Sequence, residues 1–269
     1  KLLRPADFRN HATEPDLYGV VPSYWTDYPE EIVGKGMNGF ATYRLRAILP
    51  SGFRKPLAVD LPVFDSSYDI YINGKYSGWN GVVGKTAEES RPEYRRVFFR
   101  LEPASDTLDI IINVSNFSHR RGGFWLPVKI GTFNKIQSAL ANSWAADWST
   151  ISLLLGFSIF FFFFFLINPK EKVLGYFCLA TIGLAFRPMF TSHFLIYNFI
   201  NLSWDWTVRF EYMGLYVVIV GWTWVAYELY PSPYYRGFTF FITLLFIIIH
   251  ILTHFLPVSI FSYATLVIY

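Results

Sequence analysis

Twenty consecutive residues without a charge, Trp148–Ile167 (WSTISLLLGFSIFFFFFFLI), restrict what this chain can fold into. At about 1.5 Å of rise per residue, a helix of that length spans roughly 30 Å, the thickness of a bilayer's hydrocarbon core. A helix that is apolar on every face has no side to turn towards water. Three more apolar runs follow: Val173–Phe190, about Thr207 to Tyr227, and Gly237–Leu256. A fifth opens at Val258, behind Pro257. Residues 148–269 therefore read as an α-helical transmembrane bundle of four helices and the start of another. The final run, SIFSYATLVIY, predicts that the natural chain continues. A start at Lys1 without Met or a signal peptide predicts that an export signal has been removed.

Composition separates the two sides of Trp148. Residues 148–269 hold five Lys/Arg and four Asp/Glu, net +1, which leaves +2 of the chain's +3 for residues 1–147. A charge that small gives no reason to expect nucleic acid. The one cysteine, Cys178, rules out a disulfide or a cysteine-built metal site within the chain.

Residues 1–132 read as short antiparallel strands. In Ala41–Leu49, the residues Ala41, Tyr43, Leu45, Ala47 and Leu49 share one face, and Thr42, Arg44 and Arg46 the other. Further strands are predicted at Leu57–Leu61, Tyr68–Ile72, Val97–Leu101, Leu108–Val114 and Leu126–Ile130. Asn73-Gly74 predicts a type I′ hairpin, because both central residues of that turn need positive φ. Prolines 50, 56, 62, 92 and 103 punctuate the runs. The pattern predicts an antiparallel β-sandwich or jelly roll. Residues 133–147 join it to the first apolar helix, as a helical extension or as a tether.

Four stretches in order carry a resemblance: VPSYW (Val21–Trp25), GFATYRLRAILP (Gly39–Pro50), YDIYINGKYSGWNGVVG (Tyr68–Gly84) and IINVSNFSHRRGGFW (Ile111–Trp125). The series resembles the jelly-roll, galactose-binding-like domain that precedes the barrel of β-galactosidase-type hydrolases. Followed at once by membrane helices, it is more similar to the bacterial seven-transmembrane receptors with diverse intracellular signalling modules. That resemblance runs from Val21 to Tyr269. It implies an extracellular jelly-roll sensor for a carbohydrate or related small ligand, and an output module beyond Tyr269. A looser likeness touches Arg187 near the end of the second helix, and Arg209 and Glu211 opening the third.

Orientation follows from basic residues in short loops. Lys170 and Lys172 follow the first helix and Arg236 follows the third, whereas the stretch 191–206 and the Pro257 turn hold none. This bias places 168–172 and 230–236 in the cytoplasm, and the N-terminal domain in the periplasm or outside the cell. The expected location is the inner membrane of a bacterium.

Several residues are candidates for function. Trp25, Trp79, Asn80, Asn116, His119, Arg120 and Trp125, with Arg121 beside them, gather at predicted loops or strand ends. Aromatic rings with a few polar groups suit a sugar, and the same rings suit core packing. Arg187, Arg209 and Glu211 are charges within membrane segments, where an ionised group usually finds a partner; an Arg187–Glu211 contact is expected. His250 and His254, four apart, share a helix face, but no neighbouring carboxylate or cysteine completes a metal site. Asp60, Asp69 and Asp109 fall on predicted solvent faces. No paired carboxylates of a glycosidase, phosphate loop or Ser-His-Asp arrangement is legible. The expected chain is thus a sensor without cofactor or catalytic residues, with a carbohydrate and membrane lipid as partners; a homodimer is compatible with it. The alternative is a polytopic envelope transport or processing protein with a structural sugar-binding-like domain.

Overall fold

The computed structural model describes residues 17–33 and 36–263. The chain divides into two compact units, one reaching to Leu140 and one starting at Ala141.

Among the described residues, the first unit holds nine strands: β1 (Ser23–Tyr24), β2 (Gly39–Ile48), β3 (Leu57–Leu61), β4 (Ser67–Ile72), β5 (Lys75–Asn80), β6 (Val97–Leu101), β7 (Thr107–Asn116), β8 (Gly123–Phe124) and β9 (Lys129–Thr132). One short helix, α1 (Glu30–Val33), precedes β2. The strands form a four-stranded sheet β2-β7-β4-β5, a three-stranded sheet β6-β3-β9 and the pair β1-β8. All pairings are antiparallel. Tyr68, Ile70 and Ile72 of β4, and Leu108, Ile110, Ile112 and Val114 of β7, meet Leu57, Val59 and Leu61 of β3 in one core. Burial of each such side chain contributes about 1.5–3 kcal/mol.

The hairpin between β4 and β5 has φ of 49° at Asn73 and 78° at Gly74, as the turn chemistry demands. A register shift between Ile70 and Tyr71 places Tyr71 opposite Tyr76 and Ile70 opposite Gly78. Three sequence expectations change. Leu45 is 59% exposed because β2 is an edge strand. The strand expected at Leu126–Ile130 forms instead at Lys129–Thr132, since Pro127 has no N–H to give a ladder. Asp60 is buried, not solvent-facing. It lies on β3, the middle strand of its sheet, and Arg96 Nη2 reaches it at 2.9 Å.

Among the described residues, four helices are long and apolar enough to cross a membrane: α2 (Phe133–Ile167), α3 (Lys172–Phe190), α4 (Trp204–Leu229) and α5 (Pro233–Phe255). A short α6 (Val258–Phe261) follows; the rest of the expected fifth helix lies outside the described residues. Residues 133–147 are helical and continuous with the first apolar run, so α2 is 35 residues long. Ser232 caps α5 by accepting from the Tyr235 amide at 3.1 Å, with Pro233 in the first turn. That cap starts the helix earlier than the expected Gly237.

Helices α3 and α4 approach through small residues. A Cβ on Gly221 would lie 2.9 Å from the Ala180 Cβ, and one on Gly183 would lie 2.9 Å from Val218. Small residues let helix backbones come close where lipid supplies no hydrophobic drive between helices.

Candidate functional site

The β unit contains two polar and aromatic assemblies. The first ties three loops together. Asp65, between β3 and β4, accepts from the Tyr94 hydroxyl at 2.5 Å, and His119 Nδ1 stands 3.1 Å from its other oxygen. Arg121 Nη1 lies 4.0 Å away. Burial pushes the Asp65 carboxyl up, but His119, Tyr94 and Arg121 together outweigh it and hold the pKa below 3.8. The short contact to Asp65 places the Nδ1 proton on the carboxylate side. The Arg121 amide, 3.3 Å from the same nitrogen, then has no lone pair to donate into.

Asn116 fastens the same region. Its Nδ2 donates to the carbonyls of Met37 at 2.8 Å and His119 at 2.7 Å, and its Oδ1 accepts from the His119 amide at 3.2 Å. Trp25 is buried, donates its indole N–H to Tyr43 Oη at 2.9 Å and packs in the core. Trp125 is half-buried, stacked on Tyr24 at 5.6 Å and set edge-on to Phe64. Arg121 lies 5.1 Å over its ring, and Arg120 is half-buried. Asn80 is fully buried, donating to the carbonyls of Phe64 and Ser66 and accepting from the Arg95 amide at 2.7 Å. Asn80, Asn116 and His119 are buried and engaged with protein, so they are not presented to a ligand.

The second assembly lies on the outer face of the four-stranded sheet. Trp79 and Tyr76, 37% and 48% exposed, stack with centroids 6.0 Å apart and planes at 20°. Tyr71 meets Tyr76 edge-on at 5.3 Å. The Arg95 guanidinium lies 3.8 Å over the Trp79 ring, a cation–π distance. Asp69 pairs in register with both Trp79 and Asn113. Asn113 Nδ2 donates to Asp69 at 2.8 Å, and Thr42 donates to Asn113 Oδ1 at 2.6 Å. Asp69 and Asp109 are therefore engaged on this face, Asp109 in a bidentate pair with Arg44. Burial raises the Asp69 carboxyl despite the Asn113 bond. Burial and Asp69 raise the Tyr76 hydroxyl, with Arg95 opposing, so it stays a hydrogen-bond donor at neutral pH.

Of the seven ligand-site residues expected from the sequence, Trp79 is the exposed one. Tyr71, Tyr76 and Arg95 were not expected. Residues 76 and 79, an odd number apart, share a face only because the register shift inserts Ser77. A strict period of two hides that.

In the helical unit, Arg209 is buried and forked onto Asp205, with Nε–Oδ2 at 2.7 Å and Nη2–Oδ1 at 3.1 Å. Nη2 also donates to the Leu256 carbonyl at 3.1 Å. Asp205 was absent from the expected set. Arg187 and Glu211 are both half-buried. A Cβ on Gly214, one turn after Glu211, would stand 3.9 Å from the Arg187 backbone nitrogen. The rings of His250 and His254 lie 5.0 Å apart, and His254 Nδ1 is 2.9 Å from the His250 carbonyl.

One grouping contradicts the expectation that no Ser-His-Asp arrangement exists. Asp147 Oδ2 lies 2.6 Å from His193 Nδ1, and His193 Nε2 lies 3.3 Å from Ser143 Oγ. The connectivity is that of a nucleophile relay. Ser143 sits inside α2, where the helix ladder engages the backbone N–H groups that would have to stabilise an oxyanion. The three side chains fasten the loop after α3 to α2.

No family model matches the chain, and no curated protein matches it. Among solved structures, the chain is similar to a GH2 beta-galacturonidase from Eisenbergiella tayi bound to galacturonate, at 13% identity over 42% of this chain and TM-score 0.30. It is also similar to the Bifidobacterium dentium beta-glucuronidase complexed with coumarin-3-O-glucuronide, at 17% identity over 39% of this chain and TM-score 0.27. The chain spans 20% and 16% of the length of those two proteins. Similarity at that level carries no assignment of site or activity.

Proposed function

We propose that this chain is the sensory part of a bacterial transmembrane signalling receptor. Its β domain, a jelly roll by resemblance, lies on the outer side of the inner membrane and binds a carbohydrate or related small ligand. The helices pass the change to a C-terminal output module. The ordered motifs from VPSYW to GGFW followed by membrane-length helices support the receptor reading. So does the charge bias of the loops, with Lys170 between α2 and α3 and Lys172 opening α3.

The observation that carries ligand binding is the half-exposed pair Trp79 and Tyr76 with Arg95 on top. Exposed rings beside fixed polar groups can stack on the apolar face of a sugar while hydroxyls take hydrogen bonds. For signalling, the ligand must bind one conformational state better than another.

The test is a thermal-shift series on the full chain in detergent against a broad glycan panel, run beside Trp79→Ala. The proposal expects a saturable rise in melting temperature for a subset of glycans, lost in the variant. No shift with any glycan contradicts it. A tag inserted at the Asn73-Gly74 turn should be reachable from outside intact spheroplasts; a tag reachable only after permeabilisation contradicts the orientation.

A further inference from the structure

We infer that the ligand of the Trp79 face is an acidic saccharide, with its carboxylate held by the Arg95 guanidinium; this rests on the saccharide reading above. Arg95 is set in place by its own amide and by the residue before it. Its own amide donates to the buried Asn80 Oδ1 at 2.7 Å, and the preceding residue, Tyr94, is buried and bonded to Asp65 at 2.5 Å. The loop between β5 and β6 is thus anchored where the arginine leaves it, so little ordering remains for a ligand to impose.

The guanidinium lies on Trp79 at 3.8 Å, which occupies one face of its plane. Its N–H groups have no acceptor or carboxylate partner among the described residues. Those donors form a planar fork that matches a carboxylate in bidentate fashion. Arg44, on the same sheet face, is spent on Asp109 at 2.8 and 2.9 Å, and Asp69 is bonded to Asn113. Arg95 thus forms no ion pair with either carboxylate of that face. The Tyr76 hydroxyl adds a donor beside the stacked rings. An exposed cation with no ion-pair partner, held on an aromatic platform, selects a ring that carries its own negative charge.

The experiment is isothermal titration of the full chain in detergent with a glucuronate-containing oligosaccharide, its neutral glucose counterpart and a sulfated counterpart, for the wild type and Arg95→Gln. Glutamine keeps a stem that can lie on the indole and removes the charged fork. The wild type is expected to bind the uronate about tenfold or more tightly than the neutral sugar. Arg95→Gln is expected to erase that preference, weakening the uronate complex about tenfold or more beyond any loss in the neutral one, at the wild-type melting temperature. Raising salt should weaken the wild-type complexes of the charged sugars and leave that of the neutral sugar unchanged. Equal affinity for neutral and uronate sugars, or an unchanged preference in Arg95→Gln, overturns the inference and leaves the saccharide reading standing. Tighter binding of the sulfated sugar than of the uronate overturns the carboxylate assignment. Absence of binding to all three sugars, together with no shift in the glycan panel, overturns the saccharide reading and the inference with it.

Discussion

The two assemblies of the β domain use the same kinds of residue to opposite ends. Around Asp65, a carboxylate, an imidazole, a phenol and a guanidinium turn inward on one another. On the outer face of the four-stranded sheet, Tyr76, Trp79 and Arg95 remain exposed to solvent. Residue type does not separate a site from a structural pin; what separates them is whether each donor and acceptor is already consumed. A buried polar group left without its partner costs far more than an exposed one, so the two assemblies should answer mutation differently.

The largest effect is expected at the pin. Asp65→Ala leaves a buried imidazole and the Tyr94 hydroxyl without their acceptor, and should cost about 3 kcal/mol or more. Its measure is the denaturation midpoint of the β domain within the full chain. A change below about 0.5 kcal/mol would place Asp65 among ordinary surface residues.

The same carboxylate sets an acid limit. Its folded pKa lies below its ordinary 3.8, so the unfolded state takes up the proton more readily. Its contribution to stability is therefore fully present above that ordinary value and is lost as pH falls through the lower, folded value. Thermal unfolding followed from pH 6 down to pH 3 should show a decline that Asp65→Asn flattens.

The helical unit offers an intermediate effect. Gly221→Val puts carbon where Ala180 already stands and should cost about 1–3 kcal/mol. Trp222→Val, one residue along on an exposed position, serves as its control. A smaller effect tests the expected Arg187–Glu211 contact. Either single charge reversal should lower the melting temperature, and the double swap should recover it by about 0.5–1 kcal/mol if the two couple. Failure of the swap would mean that each charge finds its partner elsewhere.

The sequence showed the architecture better than the site, and for identifiable reasons. Membrane helices announce themselves by length and lack of charge, and the Asn73-Gly74 hairpin by its need for positive φ. Those are local properties. The roles of Asn80, Asn116 and His119 are not local. Their partners lie on other loops, as Phe64 and Ser66 do for Asn80 and Asp65 does for His119. Trp79 is visible in sequence as one of several aromatic residues at loops or strand ends. Tyr76 was hidden by one inserted residue, and Arg95 by a loop that brings it back over β5. Arg209 pairs with Asp205, one helical turn earlier on the same helix, which falls outside the expected span because α4 begins before Thr207.

The most direct measurement sets Trp79→Ala beside Trp125→Ala, each followed for glycan affinity and for melting temperature. If the outer face is the site and the loop cluster a pin, Trp79→Ala abolishes binding with a stability change of about 1 kcal/mol or less. Trp125→Ala, which strips the stack on Tyr24 and Phe64, then lowers the melting temperature and leaves affinity within about twofold of wild type. Loss of affinity in Trp125→Ala with full retention in Trp79→Ala would move the site to the loop end and contradict the account.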